Sequence, residues 1–162
     1  MHDIADHKFN EGDETAGPRE ARKWMESMDI PESTILQVNT IIKEISFKGA
    51  DVKTPMSTLE GKIVQDADRL DAMGAIGIAR TFAYGGHKKH PIYDPQISPV
   101  RHSDFEEYKN STAPTINHFY EKLLLLKNLM NTETARQMAQ KRHEFMQRFL
   151  SEFFEEWKTG IA

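Results

Sequence analysis

Two short segments hold the residues of this sequence that could do chemistry. The first is His2-Asp3, followed closely by Asp6, His7 and Lys8; the second is Asp66-Ala67-Asp68-Arg69-Leu70-Asp71. Imidazole and carboxylate together suit a borderline or hard divalent cation such as manganese, iron, magnesium or zinc. Such an ion polarises a phosphoryl oxygen and lowers the pKa of bound water until a nucleophile exists near neutrality. Adjacent His2 and Asp3 can both reach one ion from a helix end, because consecutive side chains diverge there by about 100°. A third ligand has to come from elsewhere in the fold. Each segment alone is a weak signal, since His-Asp pairs arise by chance and an acidic run is commonly a solvated helix face.

The elements that must position these groups read as helices. Pro18 fits the first turn of one, with Trp24, Met25 and Met28 as its apolar stripe. A second follows Pro31, where Ile35, Val38, Ile41, Ile42 and Ile45 recur at three- and four-residue steps. Gly49 and Pro55 mark a loop. From Ser57 the pattern predicts a helix with Leu59, Ile63 and Val64 on one side, running through Leu70, Met73 and Ile76 towards Phe82. Gly74 and Gly77 inside it each cost about 1 kcal/mol relative to Ala, and are expected to let another helix approach closely. Gly85-Gly86 is the expected end of that helix.

Pro91, Pro95 and Pro99 then mark a long irregular connection reaching about Ala113, and connections of that length are often functional. Two helices are expected to close the chain. The first holds Phe119, Leu123, Leu124 and Leu126; the second runs from about Thr132 to Trp157. Met138, Phe145, Phe149, Phe153 and Trp157 are its expected core stripe. The expectation is an all-α bundle forming a single domain over residues 1–162.

Composition limits the partners. Apolar content of 38% and charged content of 28% over 162 residues are those of a folded domain, not a disordered chain. A net charge of -4 argues against nucleic acid as a partner, which usually demands a basic face. A small phosphorylated ligand held by a few local cations is still compatible. The absence of cysteine excludes disulfides and thiolate metal sites. No apolar run is long enough to span a bilayer, and the opening residues are unlike a signal peptide. The expected location is the cytoplasm, with no membrane partner.

Longer stretches carry a resemblance. The segments from His2 to Phe9 and from Ile63 to Gly77 resemble the small bacterial HD-domain hydrolases, with a similar gap between them. Phe119 to Lys127 and Asn131 to Arg136 look like the same subgroup. The resemblance implies an HD-domain-like helical bundle and a metal-dependent phosphohydrolase. It also implies a nucleotide or related phosphoester or phosphoanhydride as substrate. His2 and Asp3 match the family's central metal-binding pair. Asp68 matches its distal ligand, since the family often has Ala-Asp-Arg-Leu there, and Asp66 stands as the alternative.

The remaining site residues follow from their neighbourhood. Asp71 lies three residues after Asp68, on the same helix face, and is a candidate for orienting a water or a cation. His7, with an ordinary pKa of about 6.5, is a candidate for proton transfer, and Asp6 competes with it. Lys8 and Arg69 are candidates for neutralising phosphate oxygens. His87 and Lys88 open a basic tract, continued by Lys89 and His90, that could meet the phosphate or ribose side of a nucleotide. Lys122 resembles a position that faces the site in the family. His102, His118 and His143 read as surface or structural residues.

The family's first His lies on a helix upstream of the His-Asp pair, and here Met1 directly precedes His2. The expectation is therefore a chain truncated at its N-terminus relative to the family. A catalytically silent nucleotide- or metal-binding helical module is the alternative. An apolar face left uncovered would favour a homo-oligomer.

Overall fold

The computed structural model describes residues 4, 13, 15–45, 54–100 and 112–160. His2, Asp3, Asp6, His7 and Lys8 lie outside the described residues. Among the described residues every regular element is helical. These elements are α1 (Ala16–Ser27), α2 (Glu32–Glu44), α3 (Leu59–Asp71), α4 (Gly74–His87), α5 (Asn117–Glu121), a 3-10 helix (Leu123–Leu129) and α6 (Glu133–Thr159). The described residues are thus all-α, as expected. The chain divides into two compact units, Met1–Phe47 with Lys53–Lys62, and Lys48–Val52 with Ile63–Ala162.

In the first unit α1 and α2 pack as an antiparallel hairpin would, through Ala21, Met25, Ile35 and Ile42. The turn between them is closed by amides of Asp29 and Ile30 bonding back to Glu26 and Met25, with Asp29 at φ 53. Arg22 of α1 grips Glu32 of α2 through two bonds of 2.8 and 2.9 Å. Periodicity predicts α2 well: Ile35, Ile42 and Ile45 are buried. In α1 the expected stripe is wrong in two places. Met25 is buried, but Trp24 and Met28 are 50% and 59% exposed, and small Ala16 and Ala21 face the core instead.

In the second unit α4 packs on α6, and the 3-10 helix packs on both α5 and α6. Phe119 is fully buried, with the rings of Phe82 and Phe149 at 6.1 and 5.7 Å. Burying such a side chain contributes about 1.5–3 kcal/mol. Two buried polar side chains of α5 pin the proline-containing connection. Asn117 Nδ2 donates to the Ile97 carbonyl (2.9 Å), and Glu121 Oε1 accepts from the Val100 amide (3.2 Å).

Four expectations in this unit need correction. The helix predicted from Ser57 towards Phe82 is two helices, broken at Ala72-Met73. Gly74 at φ +74 makes the break, because a left-handed residue stops a helix and glycine adopts it without steric penalty. Gly85-Gly86 does not end α4, which runs on to His87. Its end is a Schellman turn in which the His90 and Lys89 amides bond to the Gly85 and Gly86 carbonyls, with Lys89 at φ 59. The helix expected around Phe119–Leu126 is a five-residue α-helix followed by a 3-10 segment. On α6 the buried stripe is Ala135, Ala139, His143, Met146 and Leu150. Met138 and Phe145, expected inside, are 43% and 41% exposed, because large residues on a long helix also flank its buried seam.

Candidate functional site

The acidic motif occupies the second half of α3, where polar side chains share the buried face with Leu70. Ile63 is 54% exposed, whereas Gln65, Asp66 and Arg69 are 0%, 3% and 7% exposed. Burying polar groups is costly unless each finds a partner, and these do. Asp66 Oδ1 accepts from the Asn131 amide (2.7 Å) and side chain (3.0 Å). Its Oδ2 accepts from the amide and hydroxyl of Thr132, both at 2.8 Å. Gln65 Oε1 accepts from Asn131 Nδ2 at 3.0 Å. Thr132 is in turn the N-cap of α6, accepting from the Ala135 amide.

Two arginines brace the same region. The Arg69 guanidinium donates to the Leu129 carbonyl, the last residue of the 3-10 helix. Arg142 of α6 donates to the Leu70 carbonyl near the end of α3, and its stem packs 3.1 Å from where a Gly74 Cβ would stand. Burial pulls the Arg69 pKa down, and the charges of Asp66 and Asp68 only partly restore it. For Asp66 burial pushes the carboxyl up, but the Asn131 and Thr132 hydrogen bonds outweigh it and hold the group below its ordinary 3.8.

These contacts separate the two candidates for the distal carboxylate. Both oxygens of Asp66 are taken by the start of α6, so it fits a structural tether and does not fit an open ligand position. Asp68 lies two positions on, about 200° around the helix, and is half-buried. A carboxylate there has the hard oxygen chemistry that divalent cations take. Asp71 closes α3 and forms an exposed ion pair with Arg80 of α4. Arg80 carries no motif signal and is not foreseen by the sequence pattern; only the break at Ala72-Met73 brings it to Asp71.

The other expected site residues that are described lie on α3, at the end of α4 and at the joint between α5 and the 3-10 helix. Arg69 is buried against Leu129, which makes it a brace of the scaffold. Lys122 stands at the joint between α5 and the 3-10 helix. His87 is the last residue of α4, and Lys88 caps it with its ammonium 5.7 Å from the centre of the Tyr84 ring. Two grooves of about 430 and 300 Å³ flank Tyr120, and Asp66, Asp68, Asp71 and Lys122 line neither of them. Among the described residues no three His, Asp or Glu side chains come together as a metal set. No helix among them is long and apolar enough to cross a membrane.

The helical fold and the Ala-Asp-Arg-Leu motif on α3 fit the resemblance to HD-type domains, and comparison with known proteins agrees. No family model matches the sequence. YpgQ of Bacillus subtilis is 46% identical over 112 residues, which are 68% of this chain and 46% of that protein. The matched region therefore spans less than half of that relative's length. An HD-superfamily hydrolase from Bacillus thuringiensis is 44% identical with a TM-score of 0.67, covering 97% of this chain and 69% of that one. The structure of Bacillus subtilis YpgQ in complex with ADP is 36% identical with a TM-score of 0.65, covering 86% of this chain and 61% of that one. The chain belongs to the HD superfamily.

Proposed function

We propose that this protein is a divalent-metal-dependent phosphohydrolase acting on nucleotides, with His2, Asp3 and Asp68 as the metal-binding residues. The support for His2 and Asp3 is the motif itself. Support for Asp68 is the motif together with the neighbouring Asp66, whose bonds to Asn131 and Thr132 fix the turn that carries it. Support for a nucleotide is YpgQ, which was crystallised with ADP. The observation that carries the reading is the 44% identity to an HD-superfamily hydrolase over nearly the whole chain.

A bound divalent ion would supply Lewis acidity and a nucleophilic water near neutral pH. The chain's own residues then have separate tasks. Asp68 offers a fixed anionic oxygen. Asp71, one turn along α3, and its partner Arg80 offer an acceptor and a donor for water or phosphate oxygens. Lys8, His87 and Lys88 are candidates for phosphate neutralisation; Asp6 and His7, for moving the proton. Under this reading its cellular setting is the cytoplasm, where nucleotides are abundant.

The test is release of phosphate or pyrophosphate from a nucleotide panel with manganese, magnesium, iron or zinc. The wild-type chain should turn over with at least one ion. Asp68→Asn should lose at least the ten- to hundredfold that disturbing even an outer metal partner costs. No turnover with any ion would refute hydrolysis, and ADP binding without turnover would identify a silent nucleotide-binding module.

A further inference from the structure

Resting on the reading just given, we propose that the exposed face of α4 is a nucleoside-binding ledge, where Arg80 holds phosphate and Tyr84 stacks against the base. Ile76, Arg80, Tyr84 and Lys88 follow one another at four-residue steps and so share one face. That face is open: Ile76 and Tyr84 are 65% and 46% exposed. The opposite face is the packed one, with Ile78 and Gly85 buried, and Gly77, buried beside Tyr84, marks where the ledge meets the Ala72 backbone.

The chemistry along the ledge is graded. At its start Arg80 is turned onto Asp71, one helical turn from Asp68 on the same side of α3. Both partners are more than half exposed, at 62% and 55%. Such a pair adds little to stability, so a phosphate can replace Asp71 as the partner of Arg80 at small cost. A guanidinium is the side chain best matched to that exchange, because its fork binds two phosphate oxygens at once.

One turn further, about 6 Å along the axis, stands the Tyr84 ring, a span that a ribose can bridge. The Lys88 ammonium lies 5.7 Å from its centre and adds a cation–π contact. A ring stacks on any base and holds the larger purines better. The ledge therefore selects nucleoside phosphates as a class, with weak choice among bases.

Calorimetry of the full chain with ADP, CDP and pyrophosphate, without divalent ion, tests this. Wild type should bind ADP more tightly than CDP. Tyr84→Ala should weaken ADP by about tenfold and leave pyrophosphate unchanged, while Tyr84→Phe keeps wild-type affinity. Arg80→Gln should weaken ADP and pyrophosphate alike. Wild-type ADP binding that survives Tyr84→Ala overturns the ledge and leaves the hydrolase reading standing. A wild-type chain that neither binds ADP nor hydrolyses any nucleotide overturns both.

Discussion

Asp66 Oδ2 accepts both the backbone amide and the hydroxyl of Thr132, each at 2.8 Å, across 66 positions of sequence. One buried carboxylate on α3 thus does the work of an N-cap for α6, through Thr132 and on to the Ala135 amide. Asp66→Ala leaves the half-buried Asn131 and Thr132 donors without their acceptor. The expected loss is about 2–4 kcal/mol, read from urea unfolding at pH 7.

The same contact fixes an acid sensitivity. The folded Asp66 carboxyl titrates below its ordinary 3.8, so the unfolded chain takes up the proton first as pH falls. The stability it contributes is complete well above 3.8 and is lost as pH drops through that value towards the folded pKa. Unfolding curves between pH 6 and 3 should show this loss in wild type, and a shallower one in Asp66→Asn. Equal slopes for the two proteins would remove Asp66 as the source.

Asp66 and Asp68 should part company when each is changed to Asn. Asp68 is half-buried, whereas Asp66 is 3% exposed. Asp68→Asn should keep stability within about 1 kcal/mol of wild type while removing metal-dependent turnover. Asp66→Asn should lose stability, and its remaining folded fraction should keep turnover. Matched thermal melts and phosphate-release assays on both variants settle it, and the reversed pattern would exchange the two roles.

Much of the fold is legible in the sequence wherever burial follows apolar spacing. The isoleucine steps of α2 and the Thr132 start of α6 are examples. What spacing does not reveal is the face of α3 that points inward, because Leu59 and Ile63 are exposed while Gln65, Asp66 and Arg69 are buried. That inversion rests on partners more than 55 residues away, Leu129, Asn131 and Thr132, and no local pattern reports such a distance. The break after α3 is hidden for a related reason. A glycine at position 74 reads equally as a packing residue or as a left-handed stop.

Gly77 should be intolerant of any side chain. A Cβ there would collide with the Ala72 carbonyl oxygen, which is backbone and cannot swing aside. Gly77→Ala should cost about 1–3 kcal/mol, despite alanine's better helix propensity. Gly86→Ala is the control, because a Cβ at Gly86 meets nothing within 4 Å. It should raise stability by up to about 1 kcal/mol. Thermal melts in which both substitutions move Tm the same way would contradict the close approach at Ala72.

Lys89 holds the left-handed position of the turn that ends α4, at φ 59. An L side chain there costs about 1–2 kcal/mol that glycine avoids. Glycine's greater freedom in the unfolded chain takes back part of the gain. Lys89→Gly should therefore raise stability by about 0.5–1 kcal/mol. A lower Tm would show that the Lys89 side chain contributes more than its backbone strain costs.

His143 gives the fold a second, milder pH dependence. It sits in the buried stripe of α6 at 8% exposure, and its Nδ1 finds no hydrogen-bond partner among the described residues. Burial lowers its pKa below 6.5; the Lys127 charge lowers it further, and Glu144 only partly offsets them. The folded protein therefore keeps this imidazole neutral at a pH where the unfolded chain already binds a proton. Stability contributed by the neutral ring is complete above about pH 6.5 and declines as pH falls through the depressed folded value. His143→Leu keeps an apolar side chain of similar reach in the stripe and has no proton to bind. Urea unfolding at pH 7.5 and pH 5 should show wild type losing stability relative to the leucine variant at the lower pH. The chain has 7 histidines, so the difference between the two proteins isolates this one. An identical pH response in both would mean that His143 is solvated or paired in solution, and that the buried stripe of α6 opens there.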